Sequence, residues 1–172
     1  MPGVIFKADD SLARARLARL DAAARSPRGA FETVGRVIVN RIRLCFRIGV
    51  DPWGSPWAAL KMRKGQPLVD TARLFRSVVA RPDNDGVTIG TNVKYARVHQ
   101  YGATIVPVKA KRLVFQGPNR RMIFAKRVVI PARPFMPIRR GAAAVELPAD
   151  WSAEAVRALR SYFISAADKA AA

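Results

Sequence analysis

Side chains that build metal sites and covalent intermediates are scarce in this sequence, which has one cysteine, Cys45, and one histidine, His99, in 172 residues. A single cysteine excludes an internal disulfide and a cysteine-based zinc cluster. Cys45 lies in an apolar helical pattern, so we expect a buried, unreactive thiol. No Gly-x-Ser-x-Gly motif surrounds a serine, so we expect His99 to pack or hydrogen-bond rather than to serve a catalytic triad.

Acidic residues are also few, and the positions of many of the twelve have a structural explanation. None of them forms an evident pair for general acid-base catalysis or magnesium binding. The glycine-rich loops that hold phosphates are missing as well. We therefore predict that the protein is not an enzyme and holds no cofactor or metal. Six carboxylates stand at predicted helix starts or in turns: Asp10, Asp51, Asp70, Asp83, Asp85 and Asp150.

Long hydrophobic runs are absent too, since no run approaches the roughly 18 apolar residues that cross a bilayer. The first residues, MPGVIFKADD, lack the basic start and apolar middle of a signal peptide. These absences predict folding in the cytoplasm of the cell that makes the protein. Half of the residues are apolar, which at this length predicts a single folded domain over residues 1–172.

Positive charge is present in large excess, with 31 Lys and Arg against 12 Asp and Glu and a formal net charge of +19. Self-repulsion of this size destabilises a fold, so the excess indicates a polyanion or an acidic protein surface as partner. Charge alone does not choose between these partners. No helix-turn-helix or zinc-finger motif is evident. A basic nucleic-acid-binding protein therefore stays open as an alternative function.

The hydrophobic patterns predict helices, then short strands, then a helix, which is an α+β fold. Helices are predicted at about residues 11–24 and 30–48, the second ending at Gly49 and carrying one apolar stripe. A C-terminal helix is introduced by Pro148 and Asp150, and residues 165–172 are expected to fray. The stripe of the second helix consists of Phe31, Val34, Ile38, Ile42 and Cys45.

Shorter elements are predicted between these helices. Asp70 is expected to cap a helix at residues 71–77, and a second short helix at 92–100 ends before Gly102. A PDNDG turn predicts a hairpin, and the sheet is expected to be small and mostly antiparallel. Residues 109–127, rich in Lys and Arg, are expected to project as a basic hairpin arm. The predicted strands, with a short one near the N-terminus, are residues 4–7, 87–89, 104–108, 112–115, 122–124 and 128–130.

Four segments carry recognisable motifs. FRIGVDPWGSPWAAL, at residues 46–60, contains Asp-Pro-x-Gly-x-Pro-Trp-x-x-Leu, and GQPLVDTARLFRSV follows with Ala72 where a Gly is usual. GTNVKYARVHQYGATI, at residues 90–105, contains Gly-Thr-x-x-x-Tyr-Ala-x-x-His-Gln-x-Gly. IPARPFMPI, at residues 130–138, contains Pro-Ala-Arg-Pro-Phe. In these motifs, and in their order, the chain resembles the phage virion morphogenesis proteins of the Mu-like tail-completion family.

The resemblance, which covers about residues 30–138, implies a structural protein of a tailed bacteriophage that acts in tail completion and head–tail joining. It implies a location in the virion, in a ring around the DNA channel of the neck. The implied partners are further copies of the chain, in a hexamer in the common case, and neighbouring connector or tail-terminator proteins. Non-specific contact with DNA in the lumen is left open. No membrane, cofactor or reaction is implied.

The motif residues divide into two groups of candidates. One group is expected to support the fold, through a rigid Pro-Gly turn, tight glycine turns and a shared helix face. The other is expected to contact neighbouring subunits, although a structural role is equally open for its basic members. Arg133, for example, offers a forked donor for a carboxylate. The structural group is Pro52, Gly54, Trp57, Gly90, Tyr95, His99, Gly102 and Pro134. The contact group is Lys109, Lys111, Arg112, Arg120, Arg121, Arg133 and Phe135.

Overall fold

The fold is described by a computed structural model for residues 9–117, 121–139, 141 and 145–169. The predicted strand at residues 4–7 and the predicted contact residue Arg120 lie outside these ranges. Helices flank short antiparallel strand pairs, which confirms the α+β prediction. The helices are α1 (Ser11–Arg25), α2 (Arg28–Ile48), α3 (Arg73–Ser77), α4 (Ala96–Tyr101) and α5 (Ala149–Asp168). The strands are β1 (Val79–Pro82), β2 (Val87–Gly90), β3 (Ala103–Ile105), β4 (Leu113–Gln116), β5 (Met122–Ala125) and β6 (Val128–Ile130).

Helix α2 is the central element of the core. Its predicted stripe is confirmed in part: Ile38, Ile42 and Cys45 are buried, while Phe31 and Val34 are only half-buried. The helix ends at Gly49, which adopts the left-handed conformation at φ +77° and donates its N–H to the Cys45 carbonyl oxygen. Glycine takes this conformation without steric cost, so the predicted C-cap is confirmed.

The two terminal helices pack in sequence onto α2. Helix α5 lies against α2 and buries Trp151, and the Arg41 guanidinium of α2 forms an ion pair with Glu154 of α5. Helix α1 lies against α5 and has no buried residue. Arg16 of α1 pairs with Asp168 at 2.9 Å. This contact lies at the end of α5, where residues 165–168 are helical rather than frayed as predicted.

The strands form three separate two-stranded ladders among the described residues instead of one sheet. β1 and β2 form the hairpin predicted from the PDNDG turn, in which Asp83 donates its N–H to the Gly86 carbonyl oxygen. β3 pairs with β6, and the hairpin of β4 and β5 lies between them in sequence. Pro107 and Pro131 follow β3 and β6 and have no N–H to extend the ladder. The β3–β6 pair therefore stays short.

The short helices begin later than predicted. Helix α3 starts at Arg73, and Asp70 makes no capping hydrogen bond because Ala72 occupies the N-cap position with a left-handed φ of +57°. Helix α4 starts at Ala96 rather than near residue 92. The Thr91 hydroxyl accepts the N–H of Val93 at 3.2 Å, which holds the preceding residues in a turn.

Candidate functional site

The motif segments, far apart in sequence, meet around the ring of Phe46 near the end of α2. The indole Nε1 of Trp57 donates a 2.7 Å hydrogen bond to the carbonyl oxygen of Pro134. Ring centroids of Trp57 and Phe135 lie 5.5 and 5.3 Å from that of Phe46. Both rings are buried. We call this set the motif junction, and its members are Trp57, Gln100, Arg133, Pro134 and Phe135.

The DPWGSPW loop is fixed by its own aspartate. One carboxylate oxygen of Asp51 accepts the N–H groups of Trp53 at 2.9 Å and Ser55 at 2.8 Å. Pro52 is buried, and Gly54 turns the chain at φ +89°. The N–H of Trp57 then returns to the Gly49 carbonyl oxygen, so the loop aims the indole at the core as predicted.

Gln100 holds the IPARPF segment in place, a role that the sequence pattern did not predict. Its amide nitrogen donates to the carbonyl oxygens of Met136 and Ile138, each at 3.0 Å. Its amide oxygen accepts the N–H groups of Phe135 and Met136, each at 3.0 Å. The buried amide therefore uses its full hydrogen-bonding capacity on one backbone segment. The available signal was its place four residues after the buried Ala96, on the inner face of α4.

Arg133 lies inside the protein, with 6% of its surface exposed. Its guanidinium donates to the carbonyl oxygens of Ala58 at 2.8 Å and Ala59 at 3.1 Å, instead of to the expected carboxylate. Burial, and secondarily the charge of Arg63, lower the pKa of Arg133. Phe135 is also buried, at 1% exposure. The structure thus places these two predicted contact residues at the junction of the chain with itself, not on its surface.

Tyr95, the N-cap residue of α4, packs against His99 of the helix, as their spacing predicted. Their ring centroids lie 5.6 Å apart with the planes nearly perpendicular. The His99 Nδ1 is buried and has no hydrogen-bond partner among the described residues. Burial, and then the charge of Arg133, lower the pKa of His99. The imidazole is therefore neutral at pH 7 and borders a cavity of about 390 Å³ that also touches Arg63 and Asp70.

The other side chains that could act as nucleophiles or metal ligands do not form a site among the described residues. The Cys45 thiol is buried, and desolvation raises its pKa to about 11, which agrees with the expected unreactive thiol. Across the described ranges, no cluster of three His, Cys, Asp or Glu side chains could hold a metal ion. No described helix is long and apolar enough to span a membrane.

The predicted glycine turns differ in their requirements. A Cβ on Gly102, which has φ +70°, would lie 2.9 Å from the backbone nitrogen of Ala132 and 3.0 Å from the Ile130 carbonyl oxygen. Only glycine fits there, because the chain must pass close to the segment after β6. A Cβ on Gly90 would meet no atom within 4 Å. The structure therefore explains Gly102 but not a need for glycine at position 90.

The predicted basic residues lie on and beside the hairpin of β4 and β5. Lys109, Lys111, Arg112 and Arg121 are all exposed. β4 and β5 contact each other extensively and contact no other helix or strand of the described chain to a similar extent. We call the described part of residues 109–127 the basic arm. Its basic residues are exposed, whereas Arg133 and Phe135 are buried.

Comparison with known sequences decides the family. The sequence profile of the phage virion morphogenesis family matches residues 8–145. The chain belongs to the phage virion morphogenesis family. It is 37% identical over 91 residues to Mu-like prophage FluMu G protein 2 of Haemophilus influenzae, an alignment that covers 53% of this chain and 51% of that protein. The chain thus spans about half the length of this curated relative.

No solved structure matches the chain. In this member of the virion morphogenesis family, the motifs that carry the resemblance are engaged internally. Trp57, Gln100 and Arg133 each bond backbone groups of another motif segment or of the core. These motif side chains therefore have a structural role within the fold.

Proposed function

We propose that this phage virion morphogenesis protein is a structural, non-enzymatic subunit that acts in tail completion and head–tail joining. In this proposal its copies form a ring, a hexamer in the common case, around the DNA channel of the neck. The observation that carries it is the motif junction. Motif side chains lock three segments of the chain together, and among the described residues no three His, Cys, Asp or Glu side chains lie close enough to hold a metal ion.

The distribution of charge supports a role between other virion components. The net charge of +19 includes exposed basic side chains on the arm that form no ion pair with described residues. The negative charge that balances this excess would come from acidic surfaces of neighbouring neck proteins or from the phosphates of the passing DNA. Either source of negative charge relieves the self-repulsion of the subunit.

Gene deletion in the phage or prophage that encodes the protein tests the proposal. Lysates of the deletion should contain filled heads and free tails that are not joined, and a plasmid copy should restore joined, infectious particles. The protein should also be found in purified virions by mass spectrometry. Joined and infectious particles from the deletion strain would overturn the proposal.

Nucleic-acid binding is the second candidate function, favoured by the exposed lysines and arginines of the basic arm. A dedicated binder should hold duplex DNA tightly, with log affinity falling by about 0.9 per phosphate contacted for each unit of log salt. Replacing Lys109 and Lys111 by Gln should then reduce that slope by about two, against Lys169→Gln as an exposed control. No measurable binding at low salt would eliminate this candidate.

Catalysis is tested through the single histidine. His99→Ala should leave virion assembly intact if the protein is not an enzyme and the variant folds. A lytic or processing activity that is present in the wild-type protein and lost in a folded His99→Ala variant would contradict the non-enzymatic part of the proposal. Circular dichroism and the thermal midpoint establish that the variant is folded.

A further inference from the structure

The basic arm exposes an apolar face. Val114 of β4 lies directly opposite Phe124 of β5, and the two side chains are 52% and 60% exposed. Met122, two residues before Phe124 and therefore on the same face, is 57% exposed. A cross-strand pair of this kind normally packs against another surface. In the isolated chain this face has only solvent over most of its area.

A two-stranded hairpin with apolar side chains on both faces needs a packing partner to be stable. The opposite face of the hairpin is also apolar, with Leu113, Phe115 and Ile123 half-buried. A two-stranded hairpin alone is at best marginally stable in water, and packing against a further element is what normally stabilises it. Within the part of the chain that the structure describes, β4 and β5 pair extensively only with each other. The exposed face therefore lacks, within the described chain, the packing partner that normally stabilises such a hairpin.

The same chain carries an apolar groove of about 300 Å³ elsewhere on its surface. Helix α2 forms one side of it, β2 another, and residues 136–138, 145 and 147 contribute the rest. A volume near the lower end of the roughly 300–1,000 Å³ range of binding pockets suits one or two inserted side chains. Its apolar lining residues are Val34, Ile38, Ile42, Val87, Ile89, Met136, Pro137, Ile138, Val145 and Leu147.

Two carboxylates lie close in sequence to the residues that line this groove. Asp85 lies in the turn just before Val87, and Glu146 lies between two groove residues. Both are exposed, and neither forms an ion pair with the residues that the structure describes. In contrast, several other acidic residues of the chain are already paired with arginine. These paired carboxylates are Asp10, Asp21, Asp70, Asp150, Glu154 and Asp168.

We propose that the apolar face of the basic arm of one copy docks in the groove of the next copy, with its lysines and arginines facing Asp85 and Glu146. The inference rests on the ring of the proposed function and names the contact that would build it. Arm and groove are different surfaces of one chain, so the contact is head-to-tail, which is the interface type that closes into rings.

The chemistry of the arm favours a second copy over DNA as the occupant of its apolar face. Binding to a nucleic-acid backbone uses polar and cationic side chains, which does not explain an exposed Val114–Phe124 pair. A second copy supplies both an apolar recess and unpaired carboxylates. The outer lysines of the arm can still contact DNA in the same assembly, since they flank the apolar face.

Disulfide trapping tests the contact directly. In a Cys45→Ser background, which removes the native thiol, Val114→Cys is combined with Val145→Cys, whose parent side chain is 60% exposed in the groove. Mild oxidation should give intermolecular disulfides and a ladder of linked subunits. The control pairs Val114→Cys with Val156→Cys, since Val156 is 48% exposed on α5 outside the groove. Equal trapping in both, or none in the first, overturns the proposal.

A mixing experiment tests the head-to-tail geometry. Phe124→Glu damages the arm and leaves the groove, while Val145→Glu damages the groove and leaves the arm. Each variant alone should associate roughly ten- to a hundredfold more weakly than wild type, the factor that burial of one large apolar side chain supplies. When the two variants are mixed, the intact arm of Val145→Glu can dock in the intact groove of Phe124→Glu. The resulting dimers should not grow further, because their remaining arm and groove are both damaged.

Analytical ultracentrifugation measures these states, with Val156→Glu as the control that should associate like wild type. Wild-type protein that stays monomeric, or variants that associate normally, would overturn the arm–groove contact.

Trapping in purified virions separates this inference from the proposed function. Virions that contain the doubly substituted chain without the 114–145 link refute only the contact, whereas absence of the chain from virions refutes the neck role itself.

Discussion

Removing the Gln100 amide should show how much the fold depends on the motif junction. In Gln100→Ala, the N–H groups of Phe135 and Met136 lose their acceptor inside the core. Each stranded, buried donor costs about 1–3 kcal/mol, so the pair should lower the free energy of unfolding by about 2–6 kcal/mol. The carbonyl oxygens of Met136 and Ile138 also lose their donor, which acts in the same direction.

Urea unfolding followed by tryptophan fluorescence measures this loss, because Trp57 and Trp151 are buried and report on the core. Domains are typically stable by about 5–15 kcal/mol, so the variant should be weakened severely without always being unfolded. The thermal midpoint should fall by about 2–4 °C for each kcal/mol lost in a chain of this size.

Gln100→Leu separates hydrogen bonding from the filling of space, since leucine keeps most of the volume but offers no polar atom. A volume-conserving change in an apolar site usually costs less than about 1.5 kcal/mol. We expect Gln100→Leu to be nearly as damaging as Gln100→Ala. Gln116→Leu, at an exposed position of β4, is the matched control and should stay within about 0.5 kcal/mol of wild type. A Gln100→Leu protein as stable as that control would refute the reasoning.

Three further predictions follow from single residues. Ala72→Gly should raise the free energy of unfolding by about 1 kcal/mol because Ala72 holds a left-handed φ of +57°. As the control, Ala153→Gly on the exposed face of α5 should lower the free energy of unfolding by about 0.5–1 kcal/mol. Chemical denaturation compares the two variants, and a destabilised Ala72→Gly would contradict the backbone conformation at this residue. Cys45, buried with its pKa raised to about 11, should not react with a thiol reagent at pH 8 until the protein unfolds, and rapid labelling of the native protein would contradict this placement. Because burial lowers the pKa of His99 from 6.5, the unfolded state takes up a proton first as the solution is acidified, so stability should be fully present above about pH 6.5 and decline as pH falls toward the folded-state pKa. Denaturation midpoints at pH 7.5 and 5.5 measure this decline. The wild-type midpoint should be lower at pH 5.5 than at pH 7.5, and the difference should be smaller in His99→Gln.

The long elements of this fold could be predicted from the sequence because their signals are local. Helix α2 repeats apolar residues at helical spacing for several turns and ends at a glycine, and the β1–β2 turn has the composition that hairpin turns require. The spacing of Tyr95 and His99 likewise predicted their contact. In each case the determinant lies within a few residues of the position it determines.

The errors lie where distant residues decide the outcome. Arg133 was expected at a carboxylate, and it bonds the carbonyl oxygens of Ala58 and Ala59, which are more than seventy positions away. Gln100 was overlooked because its partners belong to the segment at residues 135–138. The start of α3 depends on the backbone of Ala72 rather than on a capping side chain. No local pattern contains this information.

The division between buried motifs and exposed arm has a consequence for how substitutions act during assembly. If the motif junction only holds the fold, the assembly defects of variants at Gln100 or Trp57 should follow their loss of stability and be relieved at lower temperature. Phe124→Glu lies on an exposed face, so its loss of assembly should occur without a change in the free energy of unfolding. That pair of results would mean that the family motifs specify the shape of the subunit and that surfaces outside the motifs select its neighbours.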